Sequence, residues 1–430
     1  MTVLVLPAGS LGYQISRSVR LRSSASAYFS RTLTTPTNNK IWTWSDWIKR
    51  GKLGAVQLLL GNTDNNLASG NYGALRFEAD DTLHYFEYST GYVARVQTTQ
   101  VFRDPSAYYH IMLAVDTTQA TAANRIKLYV NGVQVTAFSA TTYPTQNYNT
   151  YFNSAITHYI GAYNNSSSGI LSTLDGYLTE INFIDGQALT PSSFGETDVL
   201  TGVWKPKKYT GTYGTNGFYL NFSDPSAATA AAIGKDYSGN GNNWTPNNIS
   251  VTSGTTYDSM RDVPTLWADG GNGRGNYAVL NPLAAQGSTL SAGNLQFTSA
   301  ASTTQLLNAA TIGVASGKWY WEAVWTTGAN AFFGVTSNPL SANNFFSVFG
   351  AATDYGYYSS TGNKFNAGTS SAYGATFAAN DVIGVALDMD AGTLTFYKNN
   401  VSQGTAFTGL TGTFFPFWAS PSSGAIAGNF

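Results

Sequence analysis

The alternation of apolar and polar positions predicts two similar β-hairpins that lie far apart in the chain. In the first, within Ile111–Phe138, the side chains of Ile126, Leu128 and Val130 fall on one face of a strand, and the intervening ones fall on the other. Asn131-Gly132 follows directly, and this pair favours a type I′ turn, which needs a positive φ at both central residues. The pattern therefore predicts a strand, a two-residue turn and a return strand.

The second hairpin lies within Ile383–Phe407 and repeats this order. Leu394 and Phe396 alternate with outward-facing positions, and Asn399-Asn400 occupies the turn. Asn adopts the left-handed backbone region more readily than other residues that carry a β-carbon. In both copies an apolar alternating strand that ends in Asp precedes the hairpin. Two such hairpins predict two β-domains of related architecture.

Short apolar runs separated by Gly, Asn and Asp clusters fill the first 200 residues. They predict strands at Trp42–Trp44, Val56–Leu60, Leu75–Glu78 and Leu83–Tyr88. None of these runs shows the spacing of apolar residues that a helix of more than one or two turns requires. Further along the chain, we expect a single helical turn in the small-residue run Ala227–Ile233. Regularly spaced short strands of this kind indicate an antiparallel β-sandwich.

The composition supports folded β-domains and argues against several classes of function. Apolar residues make up 43% and aromatic residues 14% of the 430 residues, which is enough to fill separate cores. Charged residues make up 10% and the net charge is −1, without an extended basic run. We therefore expect no nucleic-acid partner and no membrane insertion. The absence of cysteine excludes disulfides, thiol catalysis and Cys-ligated zinc.

The first ten residues contain a short apolar run without a basic region before it. Such a segment is a poor signal peptide and is too short to span a bilayer. We interpret it as an opening strand or a short anchor, and we expect synthesis in the cytoplasm without a signal peptide.

Several segments in the first half resemble laminin-G-like, concanavalin-type jelly rolls. The resemblance implies an antiparallel sandwich of a fold that is also found in glucanases. The matching segments, in order, are Tyr28–Arg31 with Thr43–Arg50, Tyr109–Asp116, Arg125–Gly132, and Gly176–Phe183 with Ala188–Thr190.

The last third resembles the SPRY domain, with matching segments in the expected order and spacing. Asn380 stands where that family usually has Gly. The matching segments are Ser316–Glu322, Phe333–Val335, Asp354–Gly368, Asp381–Asp388 and Thr393–Lys398. The resemblance implies a second sandwich that binds through loops at one end.

Residues 201–270, between the two resemblances, are similar to the linker of laminin-G-like proteins encoded in tailed-phage genomes, and Arg103–Ser106 is similar to a segment of the same proteins.

From the two domain resemblances we predict an all-β chain of two concanavalin-type jelly rolls in tandem. The expected boundaries are a laminin-G-like domain at 1–225, a turn-rich connecting segment at 226–274 and a SPRY domain at 275–430.

Candidate catalytic and metal-binding residues are few. Glu78-Ala79-Asp80-Asp81 lacks the second Glu that concanavalin-type glucanases place on the same strand, and the spacing of Asp175 and Glu180 does not fit. The loop Asp236–Gly241 resembles the start of a calcium loop, but its twelfth position is Asn247 rather than Glu, so we interpret it as an Asn/Gly turn. We predict no catalytic residue, metal or cofactor.

The three histidines, His84, His110 and His158, are scattered and lack a histidine partner at metal-ligand spacing. We expect His110, which lies within a strand motif, to be a core or inter-strand residue.

A nearly neutral surface rich in Tyr, Asn, Ser and Gly favours recognition of carbohydrate or protein, because aromatic faces stack on sugars and amides bond hydroxyls. The candidate ligand-binding residues are Tyr355, Tyr357, Tyr358 and Tyr373. The same spacing is also typical of tyrosines that alternate between a core and a strand face.

The expected function, from the resemblance and the composition, is that of a non-enzymatic structural and adhesion protein of a phage virion. It would be a head or tail fibre or a decoration protein. Its expected partners are other capsid or tail proteins and a host cell-surface polysaccharide or protein, and a homo-oligomer such as a trimer stays open. The alternatives are a glycan hydrolase with a SPRY accessory domain and a cytoplasmic adaptor.

Overall fold

The computed structural model describes residues 12–63, 71–165, 168–265, 273–285, 288–299, 306–340, 352–420 and 423–430. The expected opening strand or anchor at the N-terminus lies outside these residues. The chain divides into two compact units, Met1–Asn276 and Tyr277–Phe430.

The first unit is built from short antiparallel strands. Among its described residues the strands are β1 Ser18–Leu21, β2 Tyr28–Thr32, β3 Ile41–Arg50, β4 Gln57–Thr63, β5 Tyr72–Phe77, β6 Thr82–Tyr88, β7 Tyr92–Val101, β8 Tyr109–Asp116, β9 Ile126–Val130, β10 Val133–Gln134, β11 Phe138–Thr142, β12 Thr157–Ile160, β13 Tyr163–Asn165, β14 Gly169–Leu171, β15 Gly176–Asp185, β16 Gly195–Thr197, β17 Trp204–Pro206, β18 Phe218–Leu220, β19 Thr245–Asn247 and β20 Ser259–Met260.

The second unit has the same character. Its described strands are β21 Ser288–Ser291, β22 Gln296–Ser299, β23 Leu306–Ala309, β24 Lys318–Thr327, β25 Phe332–Thr336, β26 Asp354–Tyr358, β27 Asn363–Asn366, β28 Thr369–Ala372, β29 Val382–Asp388, β30 Thr393–Lys398, β31 Val401–Thr408, β32 Phe415–Ser420 and β33 Gly424–Asn429.

Helical structure within the described ranges is limited to short 3₁₀ turns, at Ser23–Ala25, Ala122–Asn124, Pro191–Ser193 and Pro282–Ala284. The expected helical turn at Ala227–Ile233 is a pair of hydrogen-bonded turns, in which the amides of Ala232 and Gly234 both donate to the carbonyl of Thr229. The prediction of an all-β chain is confirmed.

Two large sheets form the first unit. Sheet I has the order β10-β9-β8-β3-β15-β1-β20, with β18 also paired to β15, and sheet II has the order β11-β7-β6-β5-β4-β12-β2-β19. Their inner faces share one apolar core, to which Trp42 and Trp44 of β3 and Leu75 and Phe77 of β5 contribute. The unit is therefore an antiparallel sandwich, as the strand pattern predicts.

Both predicted hairpins are present. Asn131 and Gly132, between β9 and β10, have φ values of 47° and 80°, and Asn399 and Asn400, between β30 and β31, have values of 48° and 65°. These positive φ values are the reason for Asn and Gly at the turns.

The second unit is also a two-sheet sandwich. Sheet III has the order β21-β22-β33-β24-β29-β30-β31, and sheet IV has the order β23-β32-β25-β26-β27-β28. Trp321 of β24 and Ile383 of β29 meet Phe333 of β25 and Trp418 of β32 in the core between them.

Much of the expected connecting segment 226–274 packs onto the first unit. Within it β19 pairs with β2, and β20 pairs with β1. Asp258 accepts hydrogen bonds from the guanidinium groups of Arg20 and Arg22 at 3.2 and 2.7 Å, and Trp244 is fully buried. The described residues of this segment therefore complete the first sandwich, because they close the edge of each sheet with a strand.

Candidate functional site

The outer face of sheet I in the first unit is covered by the chain's own loops. Met112, Ile184 and Tyr129 of that face pack against Phe194 and Tyr213, which follow β15 in the chain. The outer face of sheet II has a different character, and the candidate site lies there.

Strand alternation creates the polar surface of sheet II. Leu83 and Tyr85 of β6 point into the core, so His84 between them points outward. The register places Arg76 of β5 opposite His84, and His84 opposite Gln97 of β7. Three polar side chains therefore form a row across three neighbouring strands.

A cleft of about 400 Å³ opens on this face, within the range of ligand sites in proteins. We call it the β5–β7 cleft, and its polar and aromatic lining residues are Arg76, Glu78, Asp80, His84, Tyr92, Arg95 and Gln97.

Glu78 connects Arg76 and His84 on one side of the cleft. Its Oε1 accepts a hydrogen bond of 2.8 Å from Arg76 Nε and one of 2.5 Å from His84 Nδ1. Partial burial by itself would raise the pKa of Glu78, but the hydrogen bonds from His84 and Arg76 outweigh it and leave this pKa below its usual range. Glu78 is therefore a carboxylate at neutral pH.

His84 is buried and neutral. Burial lowers its pKa below the usual range, against the opposing effect of Glu78. Its Nδ1–H donates to Glu78, and its Nε2 accepts from Arg95 Nε at 3.3 Å. These two partners select the same tautomer, so the ring acts as a fixed bridge between Glu78 and Arg95.

A chain of hydrogen bonds continues along the other side. Arg95 Nη2 donates to Gln97 Oε1 at 2.9 Å, and Gln97 Nε2 donates to Thr82 Oγ1 at 3.0 Å. The hydroxyl and the amide of Thr82 donate to Asp80, at 2.6 and 3.0 Å, and lower the pKa of Asp80. The network fixes each polar side chain before any ligand arrives.

Aromatic rings support both guanidinium groups. Arg76 lies 4.7 Å from the ring centroid of Phe86, and Arg95 lies 4.5 Å from that of Tyr92. Tyr92 is 40% exposed, so its ring also presents an apolar surface at the rim of the cleft. The site thus combines hydrogen-bonding groups of both kinds with an aromatic wall, which suits a saccharide.

The sequence pattern did not single out this site. Arg76 and Glu78, and likewise Arg95 and Gln97, are two residues apart on one strand and therefore share a face. This spacing was the available signal. The register that brings the pairs to His84 depends on bulges in the β6–β7 pairing, which the spacing does not reveal.

The four tyrosines proposed from the sequence do not form an exposed patch. Tyr357 is fully buried in the core of the second unit, with its hydroxyl donating to the carbonyl of Ala375. Tyr355 and Tyr373 pack at the same core, whereas Tyr358 lies on the opposite face of β26 and stacks on Phe332 with centroids 4.0 Å apart. Alternation separates them, because Tyr355 and Tyr357 face the core and Tyr358 cannot.

His110 lies in the interior, as its strand motif predicts. Its ring is stacked between Trp47 and Trp204, accepts a hydrogen bond of 3.0 Å from Trp204 Nε1 and lies 2.9 Å from Ser45 Oγ. Burial lowers the pKa of His110 to about 3 and that of His158 to about 4. Both are structural residues.

The remaining acidic candidates also have structural partners. Asp81 pairs with Arg50 and Arg103 at 3.0 and 2.8 Å, and Asp175 accepts from the amide and hydroxyl of Ser23. Glu180 is buried against the hydroxyl of Tyr219, and burial raises its pKa to about 7.

The calcium-like loop is a turn. The carboxylate of Asp236 accepts hydrogen bonds from the amides of Tyr219, Ser238 and Asn242, each at 2.8 Å. Within the described ranges no group of three or more His, Asp or Glu side chains is arranged to hold a metal ion. No described helix is long and apolar enough to cross a membrane.

The second unit also presents aromatic side chains to solvent. Trp319 and Tyr320 of β24 are 48% and 50% exposed, and Tyr320 donates to Glu322 at 2.8 Å. Tyr320 also meets Tyr397 edge to face, with centroids 6.1 Å apart.

The fold and its surfaces define a chain of two antiparallel sandwiches of a kind used as binding modules. A family model described as the concanavalin A-like lectin/glucanases superfamily matches residues 23–193, and a model of the SPRY domain matches residues 318–429. The chain therefore contains a concanavalin A-like domain followed by a SPRY domain.

Solved structures similar to part of the chain include the SPRY domain of human HERC1, at 22% identity and a TM-score of 0.32, covering 35% of this chain and 96% of that one. Stonustoxin matches at 24% identity and a TM-score of 0.31, over 35% of this chain and 27% of its own. The TRIM65 PSpry domain matches at 15% identity and a TM-score of 0.31, over 36% and 92%. The SPRY assignment rests on the family match and the two sheets, not on these likenesses.

Proposed function

We propose that this chain is a non-enzymatic adhesion protein of a phage particle, and that its first unit binds a cell-surface saccharide in the β5–β7 cleft. The observation that supports binding is the pre-formed network of Arg76, Glu78, His84 and Arg95, bordered by the exposed ring of Tyr92. Groups that are already fixed lose little entropy when a ligand binds.

The charge states in the cleft favour binding over hydrolysis. A retaining or inverting glycosidase needs one protonated carboxyl group as the acid and one carboxylate. Glu78 and Asp80 both have lowered pKa values, so neither keeps a proton near neutral pH. The alternative function, a glycan hydrolase with a SPRY accessory domain, would therefore need carboxylates elsewhere in the chain.

The particle setting rests on the resemblance of the connecting region and of Arg103–Ser106 to laminin-G-like proteins encoded in tailed-phage genomes. In this proposal the second unit contacts the particle or a sister subunit, and the exposed Trp319 and Tyr320 of β24 are the surface that supports such a contact. Cryo-electron microscopy of purified particles tests it: density for both sandwiches on a capsid or tail is expected, and particles that lack the protein would refute it.

A glycan array probed with the full chain tests the cleft. We expect Tyr92→Ala to weaken saccharide binding, because it removes the exposed aromatic wall. Tyr320→Ala removes a tyrosine of similar exposure, 50% against 40%, from the other unit and serves as the matched control. Equal loss with both variants, or release of new reducing ends from a bound glycan, would contradict the proposal.

A further inference from the structure

We propose that the ligand of the β5–β7 cleft carries a carboxylate, so that its class is an acidic, uronate-containing saccharide. This inference rests on the saccharide-binding function proposed above and adds the charge of the ligand. Its basis is the set of hydrogen-bond donors that the cleft leaves available.

Arg76 offers the first of these donors. Only its Nε is used, by Glu78, and both Nη groups lack a hydrogen-bond partner among the described residues. The side chain of Arg76 is 21% exposed, and its guanidinium lies against the ring of Phe86, which holds its plane. A fixed guanidinium with a free edge matches the two coplanar oxygens of a carboxylate.

Arg95 offers a second donor on the neighbouring side of His84. Its Nε and Nη2 are used by His84 and Gln97, whereas its Nη1 has no hydrogen-bond partner in the described part of the chain. The contact with Tyr92 and the two hydrogen bonds fix this guanidinium as well. Two positioned guanidinium groups therefore border the same cleft.

One oxygen of each carboxylate in the cleft is occupied from within, whereas Glu78 Oε2 and Asp80 Oδ2 have no hydrogen-bond partner among the described residues. Glu78 Oε1 already receives two hydrogen bonds, and Asp80 Oδ1 receives two from Thr82. The charges of Glu78 and Asp80 balance those of the two arginines, so an incoming anion meets no net repulsion. The three unused Nη groups of the arginines outnumber the two unused carboxylate oxygens, so donors remain in excess. The best ligand is therefore rich in acceptors, and a carboxylate provides two on one carbon.

The test uses the full chain and calorimetric titration with uronate hexasaccharides from pectate and alginate. The comparison ligands are the same hexasaccharides after reduction of their carboxyl groups to alcohols. We expect carboxyl reduction to weaken binding at least about tenfold, the size of one charge-assisted hydrogen bond.

Arg76→Lys and Arg95→Lys keep the positive charge and remove the planar fork, and each should weaken binding of the intact uronate about tenfold. Gln97→Glu adds a carboxylate at the edge of the cleft and should weaken the uronate more than its reduced form. Arg103→Lys, outside the cleft with a side chain 52% exposed, is the control and should bind as the unchanged protein does. Thermal melting confirms that each variant is folded.

The outcomes separate the two proposals. If intact and reduced hexasaccharides bind equally, the carboxylate inference is overturned and the saccharide-binding function stands. If a carboxyl preference persists unchanged in both lysine variants, the anion is held elsewhere and the inference is also overturned. If neither these probes nor any array glycan binds, the proposed function itself fails.

Discussion

Replacing Asp46 by Asn should change how the stability of the first unit depends on pH. Asp46 shares the inner face of β3 with Trp44 and Ile48 and is fully buried among apolar side chains. Its Oδ1 accepts a hydrogen bond of 2.8 Å from Trp44 Nε1, and its Oδ2 is buried without a partner in the described structure. Burial raises the pKa of Asp46 from 3.8 to about 8.

The size of the effect follows from linkage. Because the folded pKa lies above the unfolded one, the stability contributed by Asp46 is complete below about pH 4 and is lost as the pH rises towards 8. At pH 7 the unfolded chain is ionised and the folded carboxyl is still protonated. The difference of about 3 pH units between 3.8 and 7 corresponds to a loss of about 4 kcal/mol at most.

Asn cannot ionise in either state, and it resembles the protonated acid in shape. We therefore expect Asp46→Asn to unfold like the unchanged protein at pH 4 and to be more stable at pH 7 by up to about 4 kcal/mol. Calorimetry of the full chain at several pH values measures the difference. If the stability curves of the unchanged protein and of Asp46→Asn run parallel from pH 4.5 to 8, Asp46 is ionised in the core and the reasoning is wrong.

Other titrating groups also change the stability with pH, so the effect of Asp46 has to be separated from theirs. His110 and His158, whose pKa values burial lowers to about 3 and 4, stabilise the folded state more as the pH rises to 6.5 and oppose the effect of Asp46. The difference between the two proteins is therefore the diagnostic quantity, not the slope of either one. Asp388→Asn is the control, because hydrogen bonds from Ala391 and Lys318 lower the pKa of Asp388 and its contribution is lost only in acid.

Three other changes have definite outcomes. Tyr357→Phe removes the hydroxyl that donates to the carbonyl of Ala375 and should destabilise the second unit by about 1–3 kcal/mol in urea unfolding, while the saccharide binding proposed for the first unit stays unchanged. A chain that ends at residue 225 should fail to give the cooperative melt of one that ends at residue 276, because it lacks β19 and β20; equal melts would contradict this. Gly217→Ala places a Cβ 1.9 Å from a backbone carbonyl and should lower the melting temperature, whereas Gly91→Ala, with nothing within 4 Å, should not.

The two hairpins could be predicted because their causes are local. The faces of β9 follow from a period of two residues, and the turn follows from the φ preference of Asn131-Gly132. The fold class is predictable for the same reason, since many such segments in order indicate antiparallel sandwiches.

The candidate site depends on information that no local pattern holds. Arg76, His84 and Gln97 belong to three strands, and only the register between those strands places them in one row. The separation of the four tyrosines has a related cause: alternation shows that Tyr357 and Tyr358 face opposite ways, but not which of them faces the core.

The position of β1 has a consequence for how the protein is made. This strand pairs on one side with β15 and on the other with β20, and Arg20 bonds Asp258, which is 238 residues further along. At a translation rate of about 5–20 residues per second, β1 leaves the ribosome on the order of ten to fifty seconds before its last partner exists. All four of its residues are buried in the finished unit. Until β15 and then β20 have been made, β1 lacks one or both of the strands that flank it, so we expect the yield of folded protein to fall when translation is slowed between residues 21 and 258.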